Sequence, residues 1–104
     1  MVLGTIELAR HSWKPYASAL FSQLQRASLS VQLNIAEGYA FGESPTYTRH
    51  LRIAYGSAVE TGELLEIALK ANIVAPQTGT SLLTRNRRSQ RLLLGMLRKT
   101  SHEH

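Results

Sequence analysis

The chain has 104 residues, enough for one small domain with a single core and too few for two. Its hydrophobic content of 43% argues against a disordered chain, and the absence of cysteine excludes a disulfide scaffold, a thiolate zinc site and a cysteine nucleophile. The net charge is +5 with every acidic residue a Glu, a balance that suits an anionic partner, most simply nucleic acid.

The first stretch, "MVLGTIELARHSW", carries Glu7 and Arg10 where a signal peptide would need an apolar run. No segment approaches the length of a membrane span. With no cysteine, the chain fits a reducing cytoplasm, where the protein is expected. Ile6, Ala9 and Trp13 suggest a short helix in residues 1–15 that ends near Lys14 and Pro15, because the residue before a proline is biased away from helix.

A long helix is predicted over residues 16–41. Leu20, Leu24, Val31 and Ile35 fall on one face, while Leu29, Leu33, Ala36 and Ala40 make a second stripe. An ordinary surface helix buries one stripe. Two opposed stripes predict a helix covered on both sides, by its own bundle or by another subunit. "FGESPTY" ends it: Gly42 suits a C-cap, Ser44 an N-cap, and Pro45 the first turn of the next helix.

The next helix is predicted over 45–71. Tyr47, Leu51, Ala54, Ala58, Leu65 and Leu69 share a face; Ile53, Leu64, Ile67 and Ala71 lie away from it. Gly56 and Gly62 each cost about 1 kcal/mol against Ala in a helix interior. That cost is offset if backbones approach closely, so the small-residue run "AYGSA" predicts a tight helix crossing. "NIVAPQTGTS" reads as a loop, with Asn72, Pro76 and Gly79 as breakers and Thr80 or Ser81 as the cap of a last helix over 80–99. Its apolar side is Leu82, Leu83, Leu93, Met96 and Leu97, and the tail "TSHEH" is expected to fray. No strand signal or repeat interrupts this pattern, and short loops between long helices predict an all-α, antiparallel up-and-down bundle.

Two motifs now carry a resemblance. "RASLSVQLNIAEGYA" followed by "SPTYTRHLRIAYGSAVETGELLEIAL" resembles the four-helix-bundle proteins related to those encoded by intervening sequences of bacterial 23S rRNA genes. The same fold group includes the accessory variability determinant of diversity-generating retroelements. The matching residues are Arg26, Ala27, Ser30, Asn34, Ile35, Ala36, Glu37 and Gly38, then Leu51, Ala54, Gly56, Ser57 and Glu60. Gln32 stands where the family usually has a helix-bending Pro, and the first helix is shorter here. The resemblance implies a four-helix protomer, a ring-shaped homo-oligomer (a pentamer in known members) and association with nucleic acid or ribonucleoprotein, with no established enzyme among known members.

Asn34, Glu37 and Gly38 interrupt an apolar run. Asn34 and Glu37 are one turn apart, as are Ser57 and Glu60 on the next helix. Buried amides and carboxylates need partners. A structural polar joint of Arg26, Asn34, Glu37, Gly38, Ser57 and Glu60 is therefore expected where the two long helices cross, with Arg26 or Arg52 as counter-charge. The catalytic rival, Glu37 and Glu60 as an acid–base or metal-binding pair, lacks the Glu-x-x-His spacing of di-metal bundles. His11, His50, His102 and His104 are scattered, His50 beside Arg49 and Arg52 reads as a surface residue, and no phosphate loop or nucleophile elbow occurs. No enzyme activity, cofactor or metal is expected.

No acidic residue occurs between Ile67 and Ser101, a stretch that holds Lys70, Arg85, Arg87, Arg88, Arg91, Arg98 and Lys99. Arginine's planar fork donates two bonds to one phosphate. Arg85, Arg87, Arg88, Arg91, Arg98 and Lys99 are accordingly the expected contacts to RNA or DNA, sequence-tolerant and salt-dependent. No aromatic interleaves with "RNRRSQR", so stacking on single strands is a weak expectation. Alternatives are a solvated face that keeps the protein soluble, and a scaffold whose basic face docks an acidic protein or a reverse transcriptase.

Overall fold

A computed structural model describes residues 17–41 and 45–103. It contains three helices: α1, Ser18–Phe41; α2, Pro45–Lys70; and α3, Pro76–Glu103. No strand occurs among the described residues. The expected N-terminal helix in 1–15 and the proposed caps Gly42 and Ser44 lie outside them.

The helices run up, down and up in a body of 46 × 19 × 17 Å. α2 is the middle element. α1 and α3 both pack along it and hardly touch each other. The apolar spacing explains this arrangement. Leu24 and Val31 of the first α1 stripe are buried, with Leu20 and Ile35 packed beside them. On α2, Leu51, Ala54, Ala58, Leu65 and Ala68 are buried; on α3, Leu82 and Leu93 are.

The core divides into two clusters along the long axis. One joins Phe21, Leu24 and Ala27 to Leu64, Leu65, Ala68, Val74 and Leu82. The other joins Val31 to Leu51, Ala54, Ala58 and Leu93, with Tyr47, Tyr55, Met96 and Leu97 against it. Each fully buried leucine contributes about 1.5–3 kcal/mol of transfer free energy. The second α1 stripe is uncovered: Leu29 and Leu33 are exposed, as are Ile53 and Ile67 on the outer face of α2.

The α2–α3 connection is shorter than the sequence predicts. Asn72 takes a left-handed conformation with φ of 56°. The N–H of Ile73 donates to the carbonyl of Ala68 and that of Asn72 to Leu69, a Schellman closure of α2. α3 then begins at Pro76 rather than near Thr80, since a missing N–H is harmless in the first helical turn. Gly79 is not a breaker. It is buried in that first turn, and a Cβ there would lie 2.5 Å from Leu69 Cδ2 and 2.9 Å from Val74 Cγ2. The far end of α3 extends past Lys99 to Glu103, through most of the tail expected to fray.

The expected tight crossing at "AYGSA" is also displaced. Nothing lies within 4 Å of a Cβ built on Gly56, whereas one on Gly62 would meet Asn86 Oδ1 at 2.6 Å and Gln90 Nε2 at 3.0 Å. The close approach is therefore between α2 and α3 at Gly62. Ala54 and Ala58 supply the small buried side of "AYGSA", and Gly56 faces outward.

Candidate nucleic-acid interface

Two polar seams fix the helices against one another, and α3 carries a basic face. The first seam joins α1 to α2. Ser30 Oγ and Ser57 Oγ are 2.8 Å apart. Asn34 Nδ2 donates to the Ser30 carbonyl at 2.8 Å and to Ser30 Oγ at 3.2 Å, while its Oδ1 lies 3.0 Å from His50 Nδ1. Glu37 Oε2 stands 3.7 Å from the same His50 nitrogen but is largely exposed. Gly38 is buried, with ordinary contacts to Tyr47 and His50 beside it, so its approach is close without being forced.

The structure thus brings together Asn34, Ser57, Glu37 and Gly38 of the expected joint, and adds Ser30 and His50. It leaves out Arg26 and Glu60. Arg26 lies eleven residues before Glu37 on the same helix, about 16 Å along its axis, and donates to Ser22 Oγ at 3.4 Å. Glu60 is turned to the outer face of α2 and is exposed, as is Arg52, the other counter-charge considered. His50 is the correction in the other direction. It reads as a surface residue beside two arginines, yet its side chain is only 16% exposed and occupies the joint. With Glu60 outside it, Glu37 and Glu60 form no carboxylate pair.

The second seam joins α2 to α3 and was hidden in "RNRRSQR". Asn86 is buried and its Nδ2 donates to the Ala58 carbonyl at 2.9 Å. Gln90 Nε2 donates to Asn86 Oδ1 at 2.7 Å and reaches the Ala58 carbonyl at 3.5 Å. Gly62 opens the space these amides occupy. A sequence signal existed: Asn86 lies four residues after Leu82 and seven before Leu93, on the apolar stripe of α3.

The basic face covers the rest of α3. Arg85, Arg87, Arg88, Arg91, Arg98 and Lys99 are all exposed. At about 100° per residue, Arg87, Arg91 and Arg98 form one row beside α2, and Arg85, Arg88 and Lys99 form another farther round. Both rows point away from Leu82, Asn86 and Leu93, so the cations are displayed without being buried. Arg87 donates to Glu66 Oε1 at 2.8 Å, an ion pair open to solvent on both sides.

Comparison with known families decides the relationship. A sequence model of the family described as "23S rRNA-intervening sequence protein" matches residues 2–95. The chain belongs to this family. Comparisons with curated proteins and with solved structures give no match. The family match spans both seams and most of the basic face, including Arg85, Arg87, Arg88 and Arg91; Arg98 and Lys99 lie beyond it.

One aromatic escaped the sequence reading of this face. Tyr55 of α2 lines a groove with Arg87, Gln90, Arg91 and Leu94 of α3. Among the described residues no group of three His, Asp or Glu side chains is placed to hold a metal ion, and no helix is long and apolar enough to cross a membrane. His102 and His104 lie outside the residues whose side chains are described.

Proposed function

We propose that this 23S rRNA-intervening sequence protein is a non-catalytic, oligomeric helical bundle that binds RNA or DNA through α3. The observation that carries the reading is the exposure of six cations on one side of α3, with Glu66 the one carboxylate ion-paired to them among the described residues. Separate guanidinium groups on a convex surface suit successive phosphates, and that contact is sequence-tolerant.

Two structural features extend the proposal. The side of α2 between α1 and α3 holds a cleft of about 180 Å³ whose lining includes Val31, Ile35, Leu92, Leu93 and Met96. A further helix packed there would complete a four-helix bundle. Exposed apolar residues lie on different faces of the protomer: Leu29, Leu33 and Tyr39 on α1, Ile53 and Ile67 on α2, and Leu92 on α3. Different faces in contact make a head-to-tail interface, the kind that closes into a ring. The number five comes from resemblance alone. Repeated around a ring, α3 would give a multivalent basic surface.

The test is fluorescence anisotropy of a labelled RNA and a labelled DNA duplex, titrated at two salt concentrations with the wild-type protein and an Arg87/Arg88/Arg91→Ala variant. The expected result is micromolar or tighter binding that weakens with salt and with the variant. No binding to either ligand at low salt would contradict the proposal and favour a scaffold that docks an acidic protein.

A further inference from the structure

We propose that the groove between α2 and α3 at Tyr55 is a stacking subsite for an unpaired base, so that the ligand of the basic face is single-stranded nucleic acid. The inference rests on the nucleic-acid reading above and makes its ligand class specific.

The groove has a volume of about 290 Å³ and is lined by Tyr55, Arg87, Gln90, Arg91 and Leu94. Its composition is that of a nucleotide site in miniature. Tyr55 and Leu94 supply apolar surface, Gln90 an amide, and Arg87 and Arg91 a cationic rim one helical turn apart. Tyr55 is partly buried and packs against the core cluster of Val31, Leu51, Ala54, Ala58 and Leu93. That packing restrains the ring, so little side-chain freedom remains to be lost when a base stacks on it.

The polar groups are also ordered in advance. Gln90 uses its amide nitrogen on Asn86 Oδ1 and the Ala58 carbonyl. Its carbonyl oxygen is then the atom left to accept from a base edge. Arg87 is engaged by Glu66 at 2.8 Å. A phosphate is therefore held better by Arg91, farther from that carboxylate, with the strand continuing toward Arg98.

Paired bases cannot use such a site. Within a duplex each base is already stacked on its neighbours, and only its edges are accessible. Unpaired bases splay out and stack on aromatic side chains, with arginine beside them on the backbone. A convex row of arginines alone accepts either form; the aromatic in the groove makes the difference.

The deciding experiment uses unaltered full-length protein and three fluorescent probes: a short pyrimidine strand, an abasic strand of equal length and charge, and the duplex. Binding to the abasic strand and the duplex is expected to be about tenfold weaker than to the base-bearing strand. Tyr55→Leu should reduce binding of the base-bearing strand to the abasic level, and Tyr55→Phe should retain it. Equal binding of the base-bearing and abasic strands, with both weakened by Arg91→Ala, would overturn the stacking subsite and leave the nucleic-acid reading standing. No binding of any probe would overturn both. A polyglutamate peptide that binds as tightly as the base-bearing strand would assign the groove to an acidic protein instead.

Discussion

α2 is held to its two neighbours by polar seams of different kinds. Toward α1, Ser30, Ser57, Asn34 and His50 make a half-buried chain with Glu37 at its open edge. Toward α3, Asn86 is 2% exposed and bonds the Ala58 carbonyl through the gap left by Gly62. Water can replace a lost partner in the first seam more readily than in the second. A buried amide facing a glycine also fits in one register only, since sliding by a turn would set Asn86 against a side chain. The α2/α3 seam is thus the more stringent determinant of how α3, and with it the arginine face, is presented.

The sharpest way to break this comparison is Asn86→Ala. It removes the amide and leaves Gln90 without its main acceptor, so a loss of about 2–3 kcal/mol is expected from urea denaturation. A loss no larger than that of Ser57→Ala would show the two seams to be equivalent. Gly62→Ala should destabilise by about 1–2 kcal/mol, because the overpacking at Asn86 exceeds the gain in helix propensity. Gly95→Ala has open space around its Cβ and should stabilise by about 1 kcal/mol. Thermal melts of the two variants should therefore shift in opposite directions.

Ser57→Ala deletes one half-buried hydroxyl pair and should cost about 1 kcal/mol, read from the same urea transitions. The smallest effect is expected for Glu37→Gln. Glu37 is exposed and 3.7 Å from His50, so the variant should change stability by less than about 0.5 kcal/mol. A larger loss would move the weight of the α1/α2 joint from the Ser30–Ser57 and Asn34–His50 bonds to its rim.

Much of this architecture was legible in the pattern of apolar residues. The spacing of Leu20, Leu24, Val31 and Ile35 located the buried face of α1, and "SPTY" marked the start of α2. The misplacements share a cause. Local conformational preference makes Pro76 and Gly79 read as breakers, and the small residues around Gly56 suggest a close approach, but what each does depends on which side chains the tertiary packing brings to it. Pro76 stands where no N–H is needed, Gly79 admits Leu69 and Val74, and Gly56 meets nothing. The joint was half legible: Asn34 and Ser57 interrupt apolar stripes, whereas His50 was masked by flanking arginines. Asn86 was masked in the same way. Tyr55 could not be tied to the arginines from sequence, because the pairing of α2 with α3 alone brings residue 55 beside residue 91.

The proposed function turns on whether the outer face of α3 contacts nucleic acid. The most direct measurement is a titration of the protein with a short RNA strand, following each arginine Nε–H by nuclear magnetic resonance. Arg91 and Arg98 are expected to shift most, Arg87 to follow as its pair with Glu66 is disturbed, and Arg26 and Arg49 to stay in place. Shifts confined to Arg26, Arg49 and Arg52, or no arginine shift under binding conditions, would contradict it.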